Sequence, residues 1–407
     1  MTEIYDILIV GGGPAGLSAG IYGSRSRLKT VILSKGKPGG QAATTQDLEN
    51  YPGFSRGTTG PALMEKMAAH AKDFGTEIIR EEVIGLELEG DVKITKTKNG
   101  KEYHSKTVIL APGAEPRTLN IKGENIFRGK GVSYCATCDA DFFEDLDVIV
   151  IGNGDAAVEE AMYLTKFAQT VTIIVIHDEG ILDCNKASAE RAFANPKLKW
   201  VWNSVLEEIK GDGLVESVVL KNIKTGELSE METNGVFFFV GTVPKTELVK
   251  GKIDLDAQGY IITNEQMETS IPGVYAAGDA RAKYLRQVIT AASDGAVAAV
   301  AAEKYLAEEE GFKEQVLSVS EPVMVAFWTP QVEESIDAVS RLEQVAGTLN
   351  GVVRLVKIDT YRNKRVAKRY GVTEIPSVVF FHKGEVVGKL LGDFTDKDVT
   401  KIIESLT

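Results

Sequence analysis

Cysteine and histidine are scarce in this chain of 407 residues, which holds 3 of the first and 4 of the second. An odd, sparse cysteine count excludes the disulfide framework of a secreted protein and points to a reducing cytoplasm. It also leaves no zinc-type spacing, because one Cys-x-x-Cys with scattered histidines does not supply four ligands. Cationic excess is missing too. With 46 Lys and Arg against 58 Asp and Glu the formal net charge is -12, which speaks against nucleic acid as a partner, since phosphate binding runs on cationic patches. No apolar run approaches the ~20 residues that span a bilayer, and the opening Met1-Thr2-Glu3-Ile4-Tyr5-Asp6 lacks the basic start of an export signal. Neither a membrane nor a metal is expected. What is present, 43% hydrophobic residues at a mean hydropathy of -0.06, suffices for about three globular domains.

Two glycine-rich fingerprints stand out against this background. The first, Gly11-Gly12-Gly13-Pro14-Ala15-Gly16, follows the apolar run Asp6 to Val10 and opens a helix predicted from about Ala15 to Ser24. The second, Gly152-Asn153-Gly154-Asp155-Ala156-Ala157, follows Val148 to Ile151 and opens a helix over Ala156 to Lys166. A strand, a glycine turn and a helix in that order let backbone approach a pyrophosphate at a helix N-terminus. Just before the second fingerprint lies Tyr134-Cys135-Ala136-Thr137-Cys138-Asp139. Two thiols at x-x spacing between two nucleotide signals imply electrons passing from a cofactor to a disulfide. The third cysteine, Cys184, has no second thiol nearby and reads as structural.

With those residues in view the chain resembles the low-molecular-weight, flavin-dependent thioredoxin reductases. Gly39-Gly40-Gln41, Glu49-Asn50-Tyr51-Pro52-Gly53, Gly273-Val274-Tyr275-Ala276-Ala277-Gly278-Asp279 and Arg286-Gln287-Val288-Ile289-Thr290-Ala291-Ala292 complete the match, which runs from Met1 to about Ala307. The resemblance implies an α/β fold with two Rossmann-like domains of the FAD/NAD(P) type, the second inserted in the first. The FAD-binding domain would comprise 1–116 and 245–307, and the inserted domain with the dithiol 117–244. It further implies that Cys138 faces the flavin, Cys135 attacks the partner's disulfide and Asp139 manages the thiol proton. Gly11, Gly13, Pro14, Ala15 and Gly16 would cradle the FAD pyrophosphate, with Ser34 replacing the acid that often binds a ribose. Gly40, Gln41, Ala111, Gly113 and Gly278 would line the site, Asp279 would bind the ribityl chain, and Asn50, Arg286, Gln287 and Val288 would meet the ring. A homodimer, and rotation of the inserted domain about two short connections, also follow from the resemblance.

The electron donor reads differently from the family pattern. Gly152, Gly154, Asp155 and Ala156 form a nicotinamide-type turn, but NADPH-using relatives carry His-Arg-Arg and, after three intervening residues, another Arg. Aligned here is Val175-Ile176-His177-Asp178-Glu179-Gly180-Ile181, with no arginine. Like charges ~5 Å apart cost about 1 kcal/mol in water and several when partly desolvated, so NADPH is disfavoured. Reduced ferredoxin, the donor of the ferredoxin-dependent flavin branch, is expected first, NADH second and NADPH third. An acidic ferredoxin needs a cationic landing patch, for which Arg25, Arg27, Lys29, Lys35 and Lys37 are the candidates.

A linker is expected over 308–320, where an acidic run meets Gly311, and a separate domain over 321–407. Val323–Phe327, a helix over Glu333–Leu349, Val352–Ile358, the hairpin Val378–Phe381 and Val386–Leu391, and a last helix over Asp396–Leu406 resemble thioredoxin. Where thioredoxin carries its redox cysteines this chain has Val332 and Ser335, and the segment contains no cysteine. It therefore cannot exchange disulfides. The alternative to a reductase is an interaction or assembly protein built around this inert fold.

Overall fold

The protein is described from a computed structural model covering residues 3–44, 48, 50–54, 58–349, 351–361 and 363–406; Glu49 of the matched motif lies outside them. The chain divides into two compact units, Met1–Ala302 and Glu303–Thr407.

In the first unit, β1 (Ile4–Val10) leads through a glycine turn into α1 (Pro14–Arg25) and β2 (Thr30–Ser34), followed by α2 (Gly60–Asp73) and β3 (Glu77–Arg80). β4 (Val83–Glu87), β5 (Lys93–Thr97) and β6 (Glu102–Leu110) finish one sheet in the order β3-β2-β1-β6-β5-β4. β1, β2 and β3 run parallel, as do β1 and β6, and Ile7 to Ile9 and Val31 to Leu33 are buried. Strands covered on both faces need such unbroken apolar runs.

The chain leaves through β7 (Ala114–Pro116) and then forms β8 (Val132–Ser133), α3 (Ala136–Asp139), β9 (Asp147–Ile151), α4 (Asp155–Leu164), β10 (Thr170–Ile174), α5 (Lys186–Phe193) and β11 (Leu198–Val201). An antiparallel sheet of β12 (Ser204–Lys210), β13 (Ser217–Asn222) and β14 (Leu228–Glu232) precedes β15 (Gly235–Phe238). The parallel sheet runs β11-β10-β9-β15-β8. The return path, β16 (Thr242–Pro244), pairs antiparallel with β7, and β17 (Val274–Ala276) then rejoins the first sheet beside β6.

From β17 the chain passes into α6 (Val288–Phe312) and a π-helical turn over Lys313–Leu317. The stretch expected to be a linker is thus helical to Leu317, and the second compact unit starts at Glu303. The cause is burial. Phe312 and Val316 belong to the second unit's core, and each buried side chain of that size is worth about 1.5–3 kcal/mol, more than the ~1 kcal/mol that Gly311 costs a helix. The acidic run is also paired: Glu308 with Arg365 at 2.9 Å and Glu309 with Arg369 at 2.7 Å.

The second unit contains β18 (Val323–Trp328), α7 (Glu333–Thr348), β19 (Arg354–Asp359), α8 (Lys364–Arg369), β20 (Ser377–His382), β21 (Glu385–Leu391) and α9 (Asp396–Glu404), with strand order β19-β18-β20-β21. Alternation along β18 sends Met324 and Ala326 to one core and Val323, Val325 and Phe327 to the other. Val332 caps α7, and Ser335 is fully buried: its hydroxyl donates to the carbonyls of Thr329 (2.7 Å) and Val332 (2.8 Å) and accepts from Thr329 N–H (3.1 Å). At the place of a thiol this chain has a hydroxyl that ties a loop to a helix. Among the described residues no helix is long and apolar enough to cross a membrane.

Candidate active site

The first glycine turn is shaped for close backbone approach. Gly11 sits at φ +110°, and a Cβ there would lie 2.1 Å from the carbonyl oxygen of Ala111, so no other residue fits. Gly13 caps α1 without any side-chain hydrogen bond, Pro14 follows at the first helical position, and the first turn carries no acid. The N–H groups of α1 are therefore open to an anion. Ser34, at the end of β2, puts its hydroxyl against Gly12, and Gly40 packs on Gly13; Gln41 is exposed on the turn that follows. Ala111 hydrogen-bonds Val10 at 2.8 Å, Gly113 lies two residues on, and Gly278 and Asp279 leave β17 toward the same edge of the sheet.

Asp279 is a group in need of a partner. Its Oδ1 is buried and unbonded, and burial pushes its carboxyl above the usual carboxylate range, with Lys283 and Arg286 opposing. An orphaned buried acceptor costs about 1–3 kcal/mol, which a ligand hydroxyl would recover. An open helix terminus, a glycine turn without room for a Cβ and this orphaned oxygen together fit the dinucleotide expected here, FAD. Arg286 stacks on the ring of Tyr260 at 4.1 Å with its Nε also buried and unbonded, and Val288 opens α6.

Cys135 and Cys138 form a disulfide with S–S 2.05 Å. Cys135 caps α3 and Cys138 lies within it. A chain of polar contacts joins this pair to the residues expected at a flavin ring: Asn50 Nδ2 donates to Gln287 Oε1 at 3.1 Å, and Gln287 Nε2 donates to Thr137 Oγ1 at 3.2 Å and lies 3.9 Å from Cys135 Sγ. Asp139 Oδ2 accepts from Ser133 Oγ at 2.5 Å, and Ser133 Oγ accepts the N–H of Cys135 at 3.1 Å. Sequence reasoning missed Ser133; a serine two residues before the motif carries no signal by itself.

It also missed Asp294. This buried carboxylate on α6 accepts Gly278 N–H (3.0 Å), Arg281 Nε (2.9 Å) and Lys283 Nζ (2.8 Å), pinning the turn that carries Asp279. An acid inside an alanine-rich helix was its only trace.

The second glycine turn differs. Gly154 caps α4, and Asp155 is its first residue. Val175, the residue after β10, is fully buried, whereas His177 places its Nε2 3.0 Å from Asp183 Oδ2 beside the turn, so the pattern is better set at His177 than at Val175. The His-x-x pattern is then met by His177-Asp178-Glu179, and after three intervening residues stands Asp183. Carboxylates occupy each place where the pattern has arginine. Asp178 pairs with Lys224. Cys184 is only partly exposed; burial first, then the carboxylates of Asp155, Asp183 and Glu159, push its thiol up, which suits an inert thiol. Three of the five cations of the expected landing patch are paired: Lys29 with Glu3, Lys35 with Glu82 at 2.7 Å and Lys37 with Glu65 at 2.8 Å.

Comparison with known proteins sharpens this picture. The profile of the family described as pyridine nucleotide-disulphide oxidoreductase matches residues 5–295, and that described as thioredoxin matches residues 303–405. A protein of Peptoclostridium acidaminophilum named thioredoxin reductase is 52% identical over 77% of this chain and 100% of its own length. A Mycobacterium leprae protein named bifunctional thioredoxin reductase/thioredoxin is 35% identical over 96% of this chain and 94% of its own. Among solved structures, thioredoxin reductase of Streptococcus pyogenes superposes with a TM-score of 0.72 at 45% identity, over 76% of this chain and all of that one.

Proposed function

Since the chain belongs to the pyridine nucleotide-disulphide oxidoreductases, and within them to the thioredoxin reductases with a C-terminal thioredoxin domain, we propose that it passes electrons through Cys135–Cys138 to a thioredoxin-like disulfide. The enzyme is a flavoprotein, and its flavin is FAD. The observation that carries the proposal is the disulfide's seat against Gln287, which Asn50 in turn bonds. FAD held there would, once it has taken two electrons from the donor, supply the electron pair that opens that disulfide. The S–S bond opens, and the pair holds two electrons and two protons as a dithiol. Cys135, as thiolate, attacks one sulfur of the partner's disulfide, and Cys138 then attacks Cys135 in the mixed disulfide. The partner leaves as a dithiol and the Cys135–Cys138 bond is restored. Asp139, held by Ser133, carries the proton between these steps. A homodimer in a reducing cytoplasm is the setting we infer for it.

The donor we infer is reduced ferredoxin, because carboxylates at 178, 179 and 183 oppose a nucleotide's phosphates. NADH is the second reading, favoured by the retained turn at Gly152 and Gly154 and by near relatives that bear the plain name. NADPH ranks third. Anaerobic reduction of the visible flavin band with each donor separately tests this order. Bleaching by ferredoxin, and reduction by NADPH orders of magnitude slower than in arginine-bearing relatives, is the expected result. Rapid bleaching by low NADPH concentrations would overturn it.

For the thioredoxin domain we infer a docking or assembly role, supported by Ser335, whose hydroxyl serves structure and not exchange. A chain ending at Ala302 is expected to stay yellow and reducible, while its KM for a protein disulfide, or its assembly size, changes. If neither moves, the domain is no docking module of this enzyme.

A further inference from the structure

The second glycine turn is held by a strap. Asp183 pairs with Gly154 in an isolated parallel bridge, and its N–H donates to the carbonyl of Asn153 at 3.1 Å. Its Oδ2 accepts from Asn153 Nδ2 at 3.1 Å and stands 3.0 Å from His177 Nε2. Two residues on, Asn185 donates its backbone N–H (2.8 Å) and its side-chain amide (2.7 Å) to Asp155 Oδ1, at the first turn of α4. Two carboxylates are thereby fixed at the helix terminus that, in the first glycine turn, is free of acid.

Sterics do not close this turn, because a Cβ built on Gly154 would meet nothing within 4 Å. Charge does. A pyrophosphate entering here meets Asp183, which Asn153 and His177 hold in place. The nearby Lys224 pairs with Asp178. We propose that Asp183 is the specificity determinant that turns pyridine dinucleotides away from the second glycine turn. This deepens the donor reading above and rests on it.

The test is calorimetric binding of NADH and NADPH to the full-length, flavin-loaded protein, at low and high salt. Asp183→Asn is expected to tighten binding of both nucleotides by about tenfold, and Asp183→Arg by more, with the larger gain for NADPH and the gain shrinking as salt screens it. Asp183→Glu, which keeps the charge, is expected to bind as weakly as the parent. Variants that keep the parent's visible spectrum and yet bind no tighter overturn the assignment. Micromolar binding of either nucleotide by the parent overturns the donor reading itself, whatever the variants do.

Discussion

Cys138→Ser is expected to give a yellow protein whose flavin still accepts electrons but whose disulfide reduction falls to background, a loss of at least about 10³-fold. The serine hydroxyl cannot form the bond that stores the electron pair, so electrons enter and have no exit. Cys135→Ser is expected to fail in the same way, because the attacking thiolate is gone while Cys138 remains. Neither change should unfold the chain: Ala136 of α3 and the following Ala140 share a buried core with Ala157 and Ala161 of α4, and both substitutions keep the side-chain size. Measuring flavin bleaching and disulfide turnover separately on each variant decides the matter. Near-normal turnover in either one rejects the dithiol as the route.

Asp294→Ala carries the second large effect, and it acts on stability. The carboxylate is the shared partner of Arg281 and Lys283, whose side chains are 16% and 6% exposed. Removing it takes from two largely buried cations the carboxylate they share and frees the N–H of Gly278. Breaking a buried pair from one side costs about 3–5 kcal/mol. We expect a loss of that size in urea unfolding, with FAD released into the filtrate as the Gly278–Asp279 turn loosens. Asp294→Asn can keep the bond to Gly278 and should retain more flavin than the alanine variant. An alanine variant with parental stability and full flavin content would show that Asp294 pins nothing.

How far these sites were legible in the sequence depended on distance along the chain. β1, the glycine turn and α1 are neighbours, so apolar run, glycines and helix signal fall in one window, and the predicted Asp6–Val10 lies within the observed Ile4–Val10. The hairpin around Lys383-Gly384 was equally local. Features set by remote partners were not legible. Glu308 and Glu309 read as a solvated linker because Arg365 and Arg369 lie some sixty positions away. Lys35 and Lys37 read as a free patch because Glu82 and Glu65 come from other elements. The charge pattern at the second turn was placed two residues early, since only the burial of Val175 reveals where the strand stops facing the core.

The ladder between β7 and β16 has a mechanical consequence. Thr242 pairs with Pro116 and Pro244 with Ala114, and the ladder extends through Arg117 N–H to Gly241 O and Lys245 N–H to Gly113 O, each at 3.0 Å. A body hung from one strand can tumble about several axes. Hung from two strands bonded side by side, it swings cheaply only about the axis they share, because splaying them breaks backbone bonds worth about 0.5–1.5 kcal/mol each. Such a pivot behaves as a torsion bar: it reduces the search between alternative faces of one site to a single angle. Any swing about that axis is intramolecular, so its rate is expected not to depend on how much protein is in solution.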